Sequence, residues 1–195
     1  MRTVLLVLWS AVLMTVVVAA DTRPVDARSA PPPAATHAVE AAGPVPGDPR
    51  PRAIRIPSIP VESTLVPLGL NPDGTAEVPP VEDAEQAGWY RLGPGAGEVG
   101  PFVVLGHVDS HTEAGVFYRL RDLRPGDRVE VDRVDGSRVT YVVDRVETAP
   151  KDHFPTEAVY GDVPRPEIRL ITCGGAFDED ARSYEDNVIV YGHLR

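Results

Sequence analysis

The chain of 195 residues holds a single cysteine, Cys173, and its surroundings suit a nucleophile. It ends the strand-like run Ile168-Arg169-Leu170-Ile171-Thr172 and is followed at once by Gly174-Gly175. A side chain at a strand end leaves the core for solvent, and two glycines let a substrate backbone pass without meeting a Cβ. The thiolate is the reactive form, so such a cysteine needs a neighbour that takes or holds its proton. Of the five histidines, His107 is the candidate, because it alone ends an apolar strand, Phe102-Val103-Val104-Leu105-Gly106. His37 falls in a proline-rich segment, His193 near the C-terminus, and His111 and His153 in loops. The bland alternatives, a thiol buried in the core and a structural imidazole, stay open at this point. A lone cysteine excludes an internal disulfide framework and a multi-cysteine zinc site. No metal and no cofactor are expected. The loop Gly93–Gly100 lacks the Lys-Ser/Thr of a phosphate cradle. The acidic group Asp178, Glu179, Asp180, Glu185 and Asp186 lacks calcium-loop spacing and reads as a solvated loop.

The elements that must position these residues are mostly strands. Short β-rich runs cover Ala53–Ile56, Val61–Leu70, Ala87–Leu92, Phe102–His107, Arg128–Arg133, Arg138–Glu147, Glu167–Cys173 and Asn187–Gly192. Turn signals separate them, such as Asn71-Pro72-Asp73-Gly74 and Val134-Asp135-Gly136-Ser137. Only short helices are expected, near Val116–Leu120 and Thr156–Val159. Strands at this spacing predict a mostly-β fold, a closed or half-closed barrel.

The residues then match a known family. Gly106-His107-Val108-Asp109-Ser110 resembles the histidine motif of sortases, and Leu170-Ile171-Thr172-Cys173 resembles their cysteine motif. With Gly174-Gly175-Ala176-Phe177-Asp178 and Tyr184-Glu185-Asp186-Asn187-Val188-Ile189-Val190-Tyr191, the pattern is similar to actinobacterial class F (class E-like) sortases. Phe117-Tyr118-Arg119-Leu120 and Leu123-Arg124-Pro125-Gly126-Asp127 also fit that group. The resemblance spans 53–195 and implies a sortase-type closed β-barrel of about eight strands. It implies a cysteine transpeptidase that cuts LPXTG-type sorting signals between Thr and Gly through a thioacyl intermediate. The acceptor would be an amine of a peptidoglycan precursor or a pilin lysine. Cys173 would be the nucleophile and His107 the acid and base. Ile171, Thr172 and Asp109 are expected to contact substrate. The groove that reads Leu and Pro is expected from the loops between Pro150 and Pro166 and from the second strand.

One part of the family pattern is missing. Sortases usually carry a catalytic Arg on the last strand, where this chain has Asp186 and Asn187. Strand alignment gives Asn187 the Arg position. An amide can donate to an oxyanion but lacks the charge and fork of a guanidinium. Arg169 and Arg182 are the compensating candidates. Strand alternation puts Arg169, Ile171 and Cys173 on one face, so Arg169 is expected to matter more than Arg182. Two alternatives remain. An L,D-transpeptidase would carry Ser-His-Gly before its cysteine, where this chain has Leu-Ile-Thr. An exported non-catalytic β-barrel binding module would use Cys173 structurally.

The N-terminus reads differently from the barrel. Arg2 precedes an uncharged run of seventeen residues, Val4–Ala20, either a signal-anchor or a cleaved signal peptide. Residues 21–52 hold eight of the 21 prolines and read as an extended spacer with polyproline II character, or simply a disordered leader. The catalytic domain is thus expected to be extracellular, on a single-pass anchor through residues 4–20 in the cytoplasmic membrane, and monomeric. The 53–195 domain carries 14 basic against 25 acidic residues. That balance argues against nucleic-acid binding, which needs a basic footprint. It gives a weak, salt-dependent hint of a preference for cationic or amine-bearing acceptors.

Overall fold

The structure, a computed structural model, describes residues 43–110 and 112–195. The expected membrane segment and most of the proline-rich spacer, residues 1–42, lie outside the described residues, as does His111. Eight strands are present: β1 (Pro51–Ile56), β2 (Val61–Leu68), β3 (Ala87–Tyr90), β4 (Gly100–Gly106), β5 (Arg128–Arg133), β6 (Arg138–Pro150), β7 (Pro166–Asp178) and β8 (Ser183–Leu194). One short helix, α1 (Thr156–Tyr160), precedes β7. The strands close into a barrel in the order β1-β2-β3-β4-β7-β8-β6-β5. Two neighbours pair parallel, β2 with β3 and β4 with β7, and the others antiparallel. The mostly-β, closed-barrel architecture expected from strand spacing is therefore present. Among the described residues no helix is long and apolar enough to cross a membrane.

Burial explains why some strands alternate in sequence and others do not. On β5 and the first half of β6, Val129, Val131, Val139, Tyr141 and Val143 point into the barrel, and the residues between them are less buried. β4 is covered on both sides. Phe102 and Val104 enter the barrel core, while Val103 and Leu105 join a second apolar cluster. β7 and β8 divide the same way: Ile168, Leu170, Val188 and Val190 go to the first cluster, Ile171, Ile189 and Tyr191 to the second. Val159 of α1 is fully buried in that second cluster. A strand buried on both faces reads as a continuous apolar run, which is why Phe102–Leu105 shows no period of two. The outer face of β4, β7 and β8 is thus an apolar floor that runs toward Cys173.

Several boundaries differ from the sequence expectation. β7 does not stop at Cys173 but continues to Asp178, with a bulge between Gly174 and Phe177. Gly175, at φ +78°, supplies the left-handed residue there. β8 correspondingly begins at Ser183, four residues before the expected start. Val116–Leu120 forms turns rather than a helix, with a 3-10 turn at Leu120–Asp122.

A further difference is where the folded unit begins. Proline removes backbone donors but leaves carbonyl acceptors, and the segment before β1 is held through them. The fully buried Arg133 donates to the carbonyls of Val45 (3.2 Å), Pro46 (3.1 Å) and Asp48 (2.7 Å). The Ala96 amide donates to Pro49 O, and the Val45 amide to Gly97 O, both at 2.9 Å. Residues 45–50, assigned to the spacer by their prolines, are part of the barrel's packing. Removing the guanidinium leaves these carbonyls without their donor. Arg133→Ala is therefore expected to cost roughly 3 kcal/mol. Urea unfolding checks this, and a loss comparable to an exposed-Arg substitution counts against the clamp.

Candidate active site

The parallel ladder of β4 and β7 places the two candidate residues. Its last pairs are Val104 with Leu170 and Leu105 with Ile171. β4 ends at Gly106, and carrying its register two residues further sets His107 beside Cys173. On the other side of β7, the antiparallel ladder pairs Cys173 directly with Asn187. Cys173 and Asn187 thus form a row across β7 and β8, on the outer face that Ile171 and Ile189 continue, and His107 extends it from just past the end of β4. Cys173 is a free, half-buried thiol. It does not end its strand: β7 runs on through the bulge to Asp178.

His107 and Cys173 line one open cleft of about 680 Å³. Val81, Val108, Asp109 and Ser110 share the His107 wall, while Phe177, Glu179, Arg182, Ser183 and Tyr184 form the wall of the β7–β8 hairpin. One side-chain bond spans the two walls: the Tyr184 hydroxyl donates to the Asp109 carboxylate. That bond, aided by burial, pushes the Tyr184 phenol up to about 12. Phe177 packs edge-on against Tyr184, with ring centroids 5.2 Å apart. Asp109 thus lines the cleft and ties its two walls together through one carboxylate oxygen.

The two candidate arginines are in different places. Arg169 shares the face of Cys173, as alternation requires, but four residues along a strand is about 13 Å. Its guanidinium is already satisfied. It is 3% exposed, donates to Glu167 Oε2 (2.8 Å), Ile168 O (3.0 Å) and Ala158 O (3.2 Å), and lies 4.7 Å from the Tyr191 ring centroid. Arg169 fastens α1 to the sheet and does not line the cleft, contrary to the expectation that it reaches the reacting centre. Arg182 does line the cleft. It sits in the hairpin turn at φ +49°, a left-handed conformation rare outside glycine. The Asp178 carboxylate shapes that turn by accepting from the amides of Asp180 and Ala181.

The residues before Cys173 also separate. Ile171 belongs to the outer floor beneath α1. Thr172 points the other way, opposite Val188, and its hydroxyl is buried without a hydrogen-bond partner. Its side chain is therefore not on the groove side as a substrate contact requires. Tyr184, Phe177 and Val81 were not singled out as site residues. Tyr184 and Phe177 stood in the quoted motifs, but their role needs the hairpin to fold back over the cleft. Nothing local to Val81 points there.

The histidine loop is held by close backbone packing. The Phe117 amide donates to His107 O and the Gly115 amide to Val108 O, both at 2.9 Å. A Cβ on Gly115 would collide with the His107 carbonyl. Gly115→Ala must therefore push His107 from its place, and small misplacements cost on the order of 100-fold in rate. The expected result is a catalytic rate through Cys173 reduced at least tenfold in a protein whose circular dichroism is unchanged. An unaltered rate counts against the packing argument.

The sortase domain family matches residues 54–195. No curated protein matches the chain in sequence. Among solved structures, sortase C-1 from Actinomyces oris is similar at 22% identity and TM-score 0.57, over 73% of this chain and 72% of that one. The lid mutant of sortase A from Corynebacterium diphtheriae is similar at 20% and 0.56, over 77% and 72%. The SrtA sortase from Actinomyces oris is similar at 20% and 0.55, over 80% and 87%. At these identities the likeness speaks for the shared barrel. Together with the family match across the whole barrel, it establishes that the chain belongs to the sortases, which are cysteine transpeptidases.

Proposed function

We propose that this sortase cleaves an LPXTG-type sorting signal between Thr and Gly, with Cys173 as nucleophile and His107 as acid and base. The observation that carries this reading is the row His107–Cys173–Asn187 at the end of an apolar floor. The Cys173 thiolate attacks the Thr carbonyl, the C–N bond to Gly breaks, and His107 protonates the leaving amine. The thioacyl enzyme remains. An incoming amine of a peptidoglycan precursor or a pilin lysine then attacks the thioester, gives His107 its proton, forms the new amide and releases the thiolate. We assign the apolar Leu and Pro of the signal to the half-buried Val66, Tyr90, Phe154 and Tyr160, which rim the second apolar cluster; its members Leu68, Leu105, Val159 and Ile171 are themselves buried. The motifs around Cys173 and Asn187 favour class F, and the run Val4–Ala20 favours a single-pass anchor with the barrel outside the cell.

Incubating the full-length protein with a Leu-Pro-x-Thr-Gly peptide and an amine tests the reading by intact mass. A thioacyl adduct on the wild type, absent in Cys173→Ala, is the expected result. No cleavage of any sorting-type peptide by a protein with reduced Cys173 would overturn it and return Cys173 to a structural role.

Arg182 supplies the missing cation at the oxyanion, with Asn187 as the neutral donor beside Cys173. Loss of one such donor costs about 100- to 1000-fold in kcat, so Arg182→Ala is expected in that range with its melting temperature kept. Arg169→Ala is expected to act on the fold instead, costing about 2 kcal/mol. A larger kcat loss at Arg169 than at Arg182 sinks this division of roles.

A further inference from the structure

The imidazole of His107 has one ring nitrogen already engaged. Nε2 lies 2.6 Å from the carbonyl oxygen of Pro79, 28 residues earlier in the chain. A carbonyl oxygen only accepts, so Nε2 must carry the proton. The peptide bond between Pro79 and Pro80 offers that acceptor and no competing donor, because Pro80 has no N–H. Pro80 also restricts the residue before it to extended conformations, and it is itself extended, at φ −55° and ψ 140°. The direction of the Pro79 carbonyl is therefore set by local covalent geometry before His107 arrives.

The rest of the segment is tied to the same loop. Beyond Pro80, the chain makes a 3-10 turn at Val81–Asp83, and the Ala84 carbonyl accepts from the Val116 amide at 2.8 Å. The next amide, that of Phe117, donates to His107 O. Pro79, Ala84, Val116, Phe117 and His107 thus close a circuit that holds both the backbone and the ring of the histidine.

We propose that the Pro79 carbonyl is the positioning partner of His107, fixing the Nε2–H tautomer and leaving Nδ1 as the nitrogen that exchanges protons in transpeptidation. This rests on the reading of His107 as the acid and base. A general base held in one tautomer by a second acceptor is the arrangement that serine–histidine sites achieve with a carboxylate. Here a neutral carbonyl serves, so it orients the ring without placing a second anion against it. In the first half-reaction Nδ1–H gives its proton to the leaving amine nitrogen. In the second, Nδ1 takes one back from the incoming amine. Nε2–H stays on Pro79 throughout.

The test is nitrogen-15 NMR of the full-length protein labelled at histidine, with His107 assigned by the signals missing in His107→Gln. In the neutral ring, a proton on Nε2 and a bare Nδ1 are expected. Pro80→Ala restores an N–H and frees the Pro79 carbonyl to turn. Loss of a hydrogen bond to an ionisable group predicts a kcat about tenfold lower, with KM for the sorting peptide within about twofold and the tautomer preference lost. A ring carrying its proton on Nδ1, or a Pro80→Ala protein with unchanged tautomer and kcat, overturns the inference while an inactive His107→Gln leaves the acid assignment standing. Full activity in His107→Gln overturns both.

Discussion

The register of the parallel β4–β7 pair is the constraint on which the site depends. His107 and Cys173 are 66 residues apart, and nothing local connects them. They become neighbours because Leu105 stands opposite Ile171 and each chain runs two residues further. A one-residue slip would turn one of the two side chains to the opposite face. The slip is prevented by burial on both sides: it would send Val103 and Leu105 into the barrel and Phe102 and Val104 out of it. Packing that is ordinary core physics therefore sets the alignment of a nucleophile with its proton carrier.

The antiparallel partner of β7 adds a second layer of control. β8 pairs Asn187 with Cys173, and beyond the bulge it pairs Tyr184 with Phe177. The bulge lets the hairpin swing over the cleft, so that Arg182 and Tyr184 line it while Arg169, on the flat part of the same sheet, stays with α1. The Tyr184–Asp109 bond then links this hairpin back to the histidine loop. One strand, β7, thus carries a fastening at one end and a reacting centre at the other. A charged residue on the correct face serves whichever end it can reach.

Much of this was legible in the sequence. Strand spacing and turn residues located all eight strands, and the two motifs singled out Cys173 and His107. What stayed hidden is physically consistent. Arg169 obeyed alternation, but periodicity reports a face and says nothing of distance along it or of which acceptors compete for the guanidinium. Gly174-Gly175 reads in sequence as the room a substrate backbone needs beyond a strand end, whereas in the fold it begins a bulge inside the strand. The Asp109–Tyr184 bond joins residues 75 apart, and no local signal encodes such a contact. Phe102–Leu105, by contrast, was easy to assign because burial on both faces leaves an unbroken apolar run.

Proline was the least well read residue type, and for one reason. It is treated as punctuation because it lacks a donor, yet it keeps a carbonyl whose direction its ring helps to fix. The barrel uses such carbonyls twice. Those of Pro46 and Pro49 receive Arg133 and the Ala96 amide, which brings part of the apparent spacer into the fold. That of Pro79 receives the imidazole of His107. In both cases a proline-rich segment with no secondary structure of its own becomes a rigid line of acceptors. Donors from the barrel select its position, so the segment is ordered by what it accepts rather than by any ladder it could build.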